Sequence, residues 1–171
     1  MTTPHLGGGF SAVPRRPSDL HVVLVEPEIH WNTGNAGRTC LAAGATLHLV
    51  APLGFSLDER QLRRAGLDYW EQVRPVVWTS LEALEEALPE LGTPILFTSD
   101  APRSYWDVPY PRPVTLLFGR ESTGLPADFV TRHRQSRVGI PMAPGSVRSL
   151  NLSTAVALGT YEVLRKWGEL R

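Results

Sequence analysis

Cysteine and lysine are nearly absent from this chain, which has one of each, Cys40 and Lys166. A lone cysteine excludes an internal disulfide and any zinc site built on several thiolates, and it fits a reducing cytoplasm. With one lysine, the cationic side chains are almost all arginines; this suits bidentate contacts to phosphate or carboxylate, and genome composition produces the same bias. Net charge is missing too. The 17 basic residues balance 17 acidic ones, so no global field draws the protein onto nucleic acid, although local patches survive a neutral total. No apolar run approaches the roughly 20 residues of a membrane-spanning helix, and the N-terminus lacks the apolar core of a secretion signal. The expectation is a cytoplasmic protein with no membrane contact.

The absent motifs narrow the chemistry further. There is no Walker A sequence and no G-x-G-x-x-G after the first apolar run, which weakens NTPase and dinucleotide readings. The histidines (His5, His21, His30, His48 and His133) are scattered without zincin spacing, so no metal site is expected. His48 reads as structural and His30 as a surface residue. Ser149 and Ser153 have no recognisable His/Asp partners for a hydrolase triad. Cys40 sits in a helical pattern without a basic neighbour and reads as a packed thiol.

What is present fits one domain: 171 residues, 42% of them hydrophobic. Residues 1–19, rich in Gly and Pro, read as a flexible extension, and 20–171 as the domain. Short β-branched runs at 21–25, 46–50, 73–78, 95–98, 114–118 and 137–140 read as strands. Helical patterns separate them: one entered after a loop at 28–37 and ending near Gly44, then 57–65, 81–91 capped by Thr79 or Ser80, 127–132, and a long one from Asn151 to Trp167. Strands alternating with helices predict an α/β fold, a mostly parallel sheet flanked by helices. The last helix is apolar on two sides, with Leu152, Val156 and Val163 on one and Leu158, Tyr161 and Leu164 on the other, so more than one neighbour should bury it.

Three loops, 28–35, 119–126 and 142–150, each follow a strand and precede a helix, and all are rich in Gly, Asn, Ser and Arg. In a parallel sheet they gather on one edge, where ligands bind. Ser146, Arg148, Ser149 and Asn151 supply polar groups at the last helix start; they suit a polar or anionic ligand, and equally an ordinary well-capped helix. Arg38 lies one turn beyond Asn35, a candidate cap, and reads either as a ligand-facing cation or as a surface arginine. Glu121 is the one acid in its glycine-rich loop. The five arginines of 112–137, with Arg60, Arg63 and Arg64, form either a phosphate-binding rim or a solvated surface.

These segments resemble a known family. NTGNAGR (32–38), LFGRESTGLP (117–126) and IPMAPGSVRSLNLSTA (140–155) are similar, in order and spacing, to the three motifs of the SPOUT superfamily of RNA methyltransferases. RRAGLDYW (63–70), with Glu26-Pro27, resembles the subgroup that 2′-O-methylates the wobble nucleotide of tRNA. The resemblance implies a C-terminal trefoil knot, a homodimer, and S-adenosylmethionine held by Phe97, Thr98, Gly119, Glu121, Ile140, Met142, Ser149, Leu150 and Ser153. It also implies that Arg38 reaches the substrate ribose, with Asn32, Asn35, Glu121, Arg148, Asn151 and Tyr161 as orienting residues. The partner would be a tRNA anticodon stem-loop. Methylation of another tRNA or ribosomal RNA ribose is the alternative, and a non-catalytic RNA-binding protein a third reading. Trp31, Tyr69 and Trp106 are candidates for stacking on bases or for the core.

Overall fold

A computed structural model describes residues 18–56 and 69–169. Most of the N-terminal extension, the predicted helix at 57–65 with Arg60, Arg63 and Arg64, and all but the end of RRAGLDYW lie outside the described residues. Ser18 and Asp19 already belong to the fold: the Ser18 hydroxyl donates to Leu20 O and Gly44 O, and Asp19 O accepts from Val114 N–H.

Six strands form one sheet: β1 (Leu20–Val25), β2 (Thr46–Val50), β3 (Val76–Trp78), β4 (Thr93–Phe97), β5 (Val114–Phe118) and β6 (Arg137–Val138). Their order is β3-β2-β1-β5-β4-β6, and every pairing is parallel. The helices are α1 (His30–Ala43), the single turn α2 (Trp70–Val73), α3 (Leu81–Leu91), α4 (Ala127–Arg132) and α5 (Leu152–Trp167). The central strands read as unbroken apolar runs because both faces are covered. Val22 and Leu24 point to a core shared with α1, α2 and α5, while Val23 and Val25 point to a second core with α3 and α4.

The elements depart from the sequence reading at three places. The run at 73–78 is divided: Val73 ends α2, Arg74 takes a left-handed φ of 46°, and only Val76–Trp78 pairs, at the sheet edge. β6 is two residues long. The largest departure is at 28–37, where α1 begins at His30 and NTGNAG is helical. Gly37 serves packing: a Cβ there would lie 2.8 Å from the Trp70 ring. Asn35 is therefore no cap. The N-cap is Ile29, and Asn35 stands exposed inside the helix.

The last helix packs on α1 and on β1 and β5, but part of its second apolar side stays open. Leu152, Val156, Val163 and Leu164 are buried, but Leu158 and Tyr161 are 38% and 41% exposed. Ser80 caps α3, accepting from Ala83 N–H at 3.3 Å.

Candidate active site

Because all strands run the same way, the loops after β1, β2, β4, β5 and β6 meet at one edge of the sheet. The chain order reverses between β1 and β5, which opens the topological switch point where such sheets bind ligands. A hydrogen-bonded hub fills it. The first N–H groups of a helix have no intrahelical partner, and the Ile29 side chain cannot cap α1. Glu121 substitutes from the loop after β5, accepting from Glu28 N–H (2.8 Å), Ile29 N–H (3.3 Å) and Asn32 Nδ2 (3.0 Å). A carboxylate there also complements the positive end of the helix dipole. In return, Glu28 accepts from the Ser122 N–H at 2.9 Å and its hydroxyl at 2.8 Å. The other end of the buried Asn32 amide accepts from Asn151 Nδ2 at 2.9 Å. Asn151 Oδ1 then accepts from the Ser153 N–H and hydroxyl, capping α5. Glu121, Asn32, Asn151 and Ser153 thus tie the starts of α1 and α5 to the β5 loop.

That loop turns sharply. Arg120 and Gly124 exchange two backbone hydrogen bonds of 3.1 and 2.9 Å. A Cβ on Gly119 would lie 2.0 Å from the Gly124 carbonyl carbon, so no side chain fits. Arg120 is ion-paired with Glu26.

Beside the hub, a cavity of about 630 Å³ opens between residues 99–104 and 139–148. Its lining combines apolar Ile140, Met142 and Val147, the hydroxyls of Ser99, Ser104 and Ser146, and the cationic Arg103 and Arg148, with no carboxylate. The 140–150 backbone makes one turn bond of its own among the described residues, Ser146 N–H to Ala143 O.

Arg38 is exposed on α1, its guanidinium 4.5 Å from the centre of the Tyr69 ring. The Tyr69 hydroxyl donates to Gly34 O at 2.9 Å, which holds the ring in place. Among the described residues Arg38 makes no ion pair, unlike most arginines of 112–137. Arg112 pairs with Glu169 and Asp19, Arg132 with Glu85 and Asp128, and Arg137 with Asp100 at 2.6 Å. Of the two readings of the 112–137 arginines, their ion pairs favour the solvated surface over the phosphate-binding rim.

The structure divides the sequence-predicted site residues into groups. Glu121, Asn151 and Ser153 meet at the hub, while Ile140, Met142 and Arg148 line the cavity. Ser149 and Leu150 connect the two. Phe97 stacks on Phe118 at 4.6 Å and packs against Gly159, where a Cβ would lie 2.8 Å from its ring. Thr98 sits at the β4–β6 seam, its N–H bonded to Val138 O at 2.9 Å. Gly119 closes its turn, and Asn35 and Arg38 share the exposed side of α1. Sequence reasoning missed Glu28, and also Ser99, Arg103 and Ser104 on the cavity wall. These last three follow β4, so the carboxyl-edge rule that singled out the other loops points to them as well. Cys40 is buried in the core, and burial pushes its thiol up to about 12, which rules out a nucleophile at neutral pH.

The six-stranded parallel sheet flanked by helices matches RNA methyltransferases of known structure. One solved structure, concerned with 2-OH methylation of C/U34 on tRNA, superposes with a TM-score of 0.80 at 43% identity, covering 88% of this chain and 97% of its own. Another, the SpoU methyltransferase AviRb from Streptomyces viridochromogenes in complex with the cofactor AdoMet, gives a TM-score of 0.70 at 27% identity, covering 92% of this chain and 62% of its own. The tRNA (cytidine(34)-2′-O)-methyltransferase of Burkholderia ambifaria is 43% identical over 153 residues, 87% of this chain and 96% of that protein. The chain is an RNA methyltransferase. It belongs to the SpoU rRNA methylase family, whose model matches residues 19–161.

Proposed function

We propose that this protein transfers a methyl group from S-adenosylmethionine to the ribose 2′-oxygen of the wobble nucleotide of tRNA, a cytidine or modified uridine at position 34. The observation that carries this reading is the placement, on one sheet edge, of an acid-free cavity beside a hub that fixes the helix bearing Arg38, exposed and without an ion pair among the described residues. The cavity suits the cofactor: its volume is that of a small-molecule site, its apolar residues suit a purine, its hydroxyls a ribose, and its arginines a carboxylate. Ile140, Met142, Ser104 and Arg148 would hold it. The cofactor supplies an activated methyl on a sulfonium, so the protein must mainly align the acceptor oxygen.

Arg38 is the group for that oxygen. A guanidinium is a permanent cation and a poor base, so its role is to stabilise negative charge as the hydroxyl loses its proton. Solvent or a substrate phosphate accepts that proton. Tyr69 orients the guanidinium, and the hub fixes the start of α1. Asn35, one turn before Arg38 on the same exposed side, orients the ribose.

We infer further that the chain works as a homodimer in the cytoplasm. The half-exposed Leu158 and Tyr161 of α5 flank an open groove with Tyr105, an apolar face that a second copy would cover. The 139–151 segment, which carries the chain from edge strand β6 to a helix packed on α1, is the part that would form the family's knot.

The test is methylation of unmodified tRNA transcripts with labelled S-adenosylmethionine, followed by alkaline hydrolysis. Protection of the linkage after nucleotide 34 is expected. Protection elsewhere would assign another ribose, and binding of RNA without transfer would make this a binding protein. Sedimentation should give a dimer mass.

A further inference from the structure

Trp31 is 50% exposed at the start of α1, and the mechanism above leaves it unused. Its neighbours are aromatic: the His30 ring lies 4.7 Å away, and Phe55, from the loop after β2, lies 6.5 Å from His30. This cluster stands on the carboxyl edge above β1 and β2, on the opposite side of the hub from the cavity. Residues one and two turns apart on a helix share a face, and Trp31, Asn35 and Arg38 are all exposed. The exposed stripe of α1 therefore reads aromatic ring, amide, guanidinium. Its 14 residues include no acid, and Arg38 is its one charged side chain. Trp31 and Arg38 are about 10 Å apart along the axis, a span of one to two nucleotides of extended strand.

We propose that Trp31, backed by His30 and Phe55, is a stacking platform for an unpaired base next to the nucleotide whose ribose meets Arg38. The inference rests on the RNA-methylation reading and adds a binding residue for the strand beside the target. A large apolar ring left half in water suits the π-face of any base, as in sequence-tolerant single-strand binding. A helix face without an acid and the cation two turns on match a strand with apolar base faces and an anionic backbone. A base splayed onto Trp31 would also leave the stack of its neighbours, which helps present the adjacent ribose.

The experiment measures RNA affinity and transfer on an anticodon stem-loop for the wild-type, Trp31→Ala and Trp31→Phe proteins. Each is also tested on stem-loops carrying one abasic position beside the target. Losing a stack should weaken RNA binding roughly ten-fold or more in Trp31→Ala, with most affinity restored in Trp31→Phe. One abasic position should weaken the wild type by a similar factor and leave Trp31→Ala unaffected, because the two share one contact. S-adenosylhomocysteine affinity and dimer mass should stay at wild-type values. RNA affinity within two-fold of wild type in Trp31→Ala would overturn the platform. So would a change in dimer mass that accounts for the loss, or equal sensitivity of both proteins to every abasic position. Failure of the wobble reading would look different, since the wild-type protein itself would then methylate another ribose or none.

Discussion

Asn32 is 6% exposed and uses both ends of its amide, donating to Glu121 and accepting from Asn151. Truncation would remove one of the three donors of Glu121 and the acceptor of Asn151 Nδ2 at the switch point. Asn32→Ala is expected to cost about 1–3 kcal/mol, read from urea denaturation, and to lower transfer because the starts of α1 and α5 separate. Stability within a few tenths of wild type would show that the hub relaxes or admits water. Arg38 presents the opposite case. It is exposed and rests on the Tyr69 ring, with no ion pair among the described residues, so Arg38→Ala should leave the unfolding midpoint and S-adenosylhomocysteine binding unchanged. Transfer should fall by about 10²-fold or more, the scale of losing one charge-stabilising donor. Loss of cofactor binding in this variant would assign Arg38 a structural role instead.

Two helix caps show how far an element's start can carry more than its own stability. Ser80 caps α3 away from the hub, so Ser80→Ala should cost about 1 kcal/mol with activity intact. Asn151 caps α5 and also bonds Asn32. Asn151→Ala should therefore cost more than a simple cap and reduce transfer, and its effect should be non-additive with Asn32→Ala by about 0.5–3 kcal/mol. Strict additivity in that cycle would mean the bond between them contributes nothing. The same elements show what could be read from the sequence. Strand runs such as HVVLV and VTLLF declare themselves because burial on both faces demands continuous apolar residues. The last helix declares itself by its apolar periodicity. NTGNAGR was misleading because Gly and Asn signal a loop locally, while here Gly37 makes room for Trp70 and Asn32 reaches across to two other loops. Likewise, Glu121 as the substitute cap of α1 depends on a contact between residues 93 positions apart. No local pattern carries that information. The arginines of 112–137 could be counted, but their neutralising partners (Asp19, Glu85, Asp100 and Glu169) come from distant positions.

At the scale of the whole molecule, the flank formed by β1, β2 and β3 is held by a polar relay across the sheet. Trp78 Nε1–H donates to His48 Nδ1 at 3.1 Å, and His48 Nε2 lies 3.0 Å from His21 Nδ1. With Nδ1 accepting, His48 carries its proton on Nε2 and donates to His21, so the chain of bonds is complete only when both rings are neutral. Burial, reinforced by the neighbouring His21, lowers His48 to about 4, and burial lowers His21 as well. The unfolded chain takes up these protons near pH 6.5, whereas the folded chain holds His48 neutral until far lower. Stability should therefore be full above about pH 6.5 and decline as pH falls toward 4, with His48 alone contributing a loss of about 2 kcal/mol by pH 5. Urea denaturation at pH 7.5 and pH 5 measures this directly. In His48→Gln the amide can still accept from Trp78 and donate to His21, but it cannot titrate, so the pH 5 loss should shrink to well under half of the wild-type value. An equal loss in both proteins would place the acid sensitivity elsewhere, in the carboxylates that Arg132, Arg137 and Arg165 hold ionised. The relay spans β1, β2 and β3, and β1 and β2 also lead into the loops that hold Glu28 and Phe55. Mild acid should therefore loosen the RNA-facing flank before it reaches the cavity side, and RNA affinity should fall with pH while S-adenosylhomocysteine binding is retained. Parallel loss of both ligands over pH 7 to 5 would show that the sheet yields as one unit.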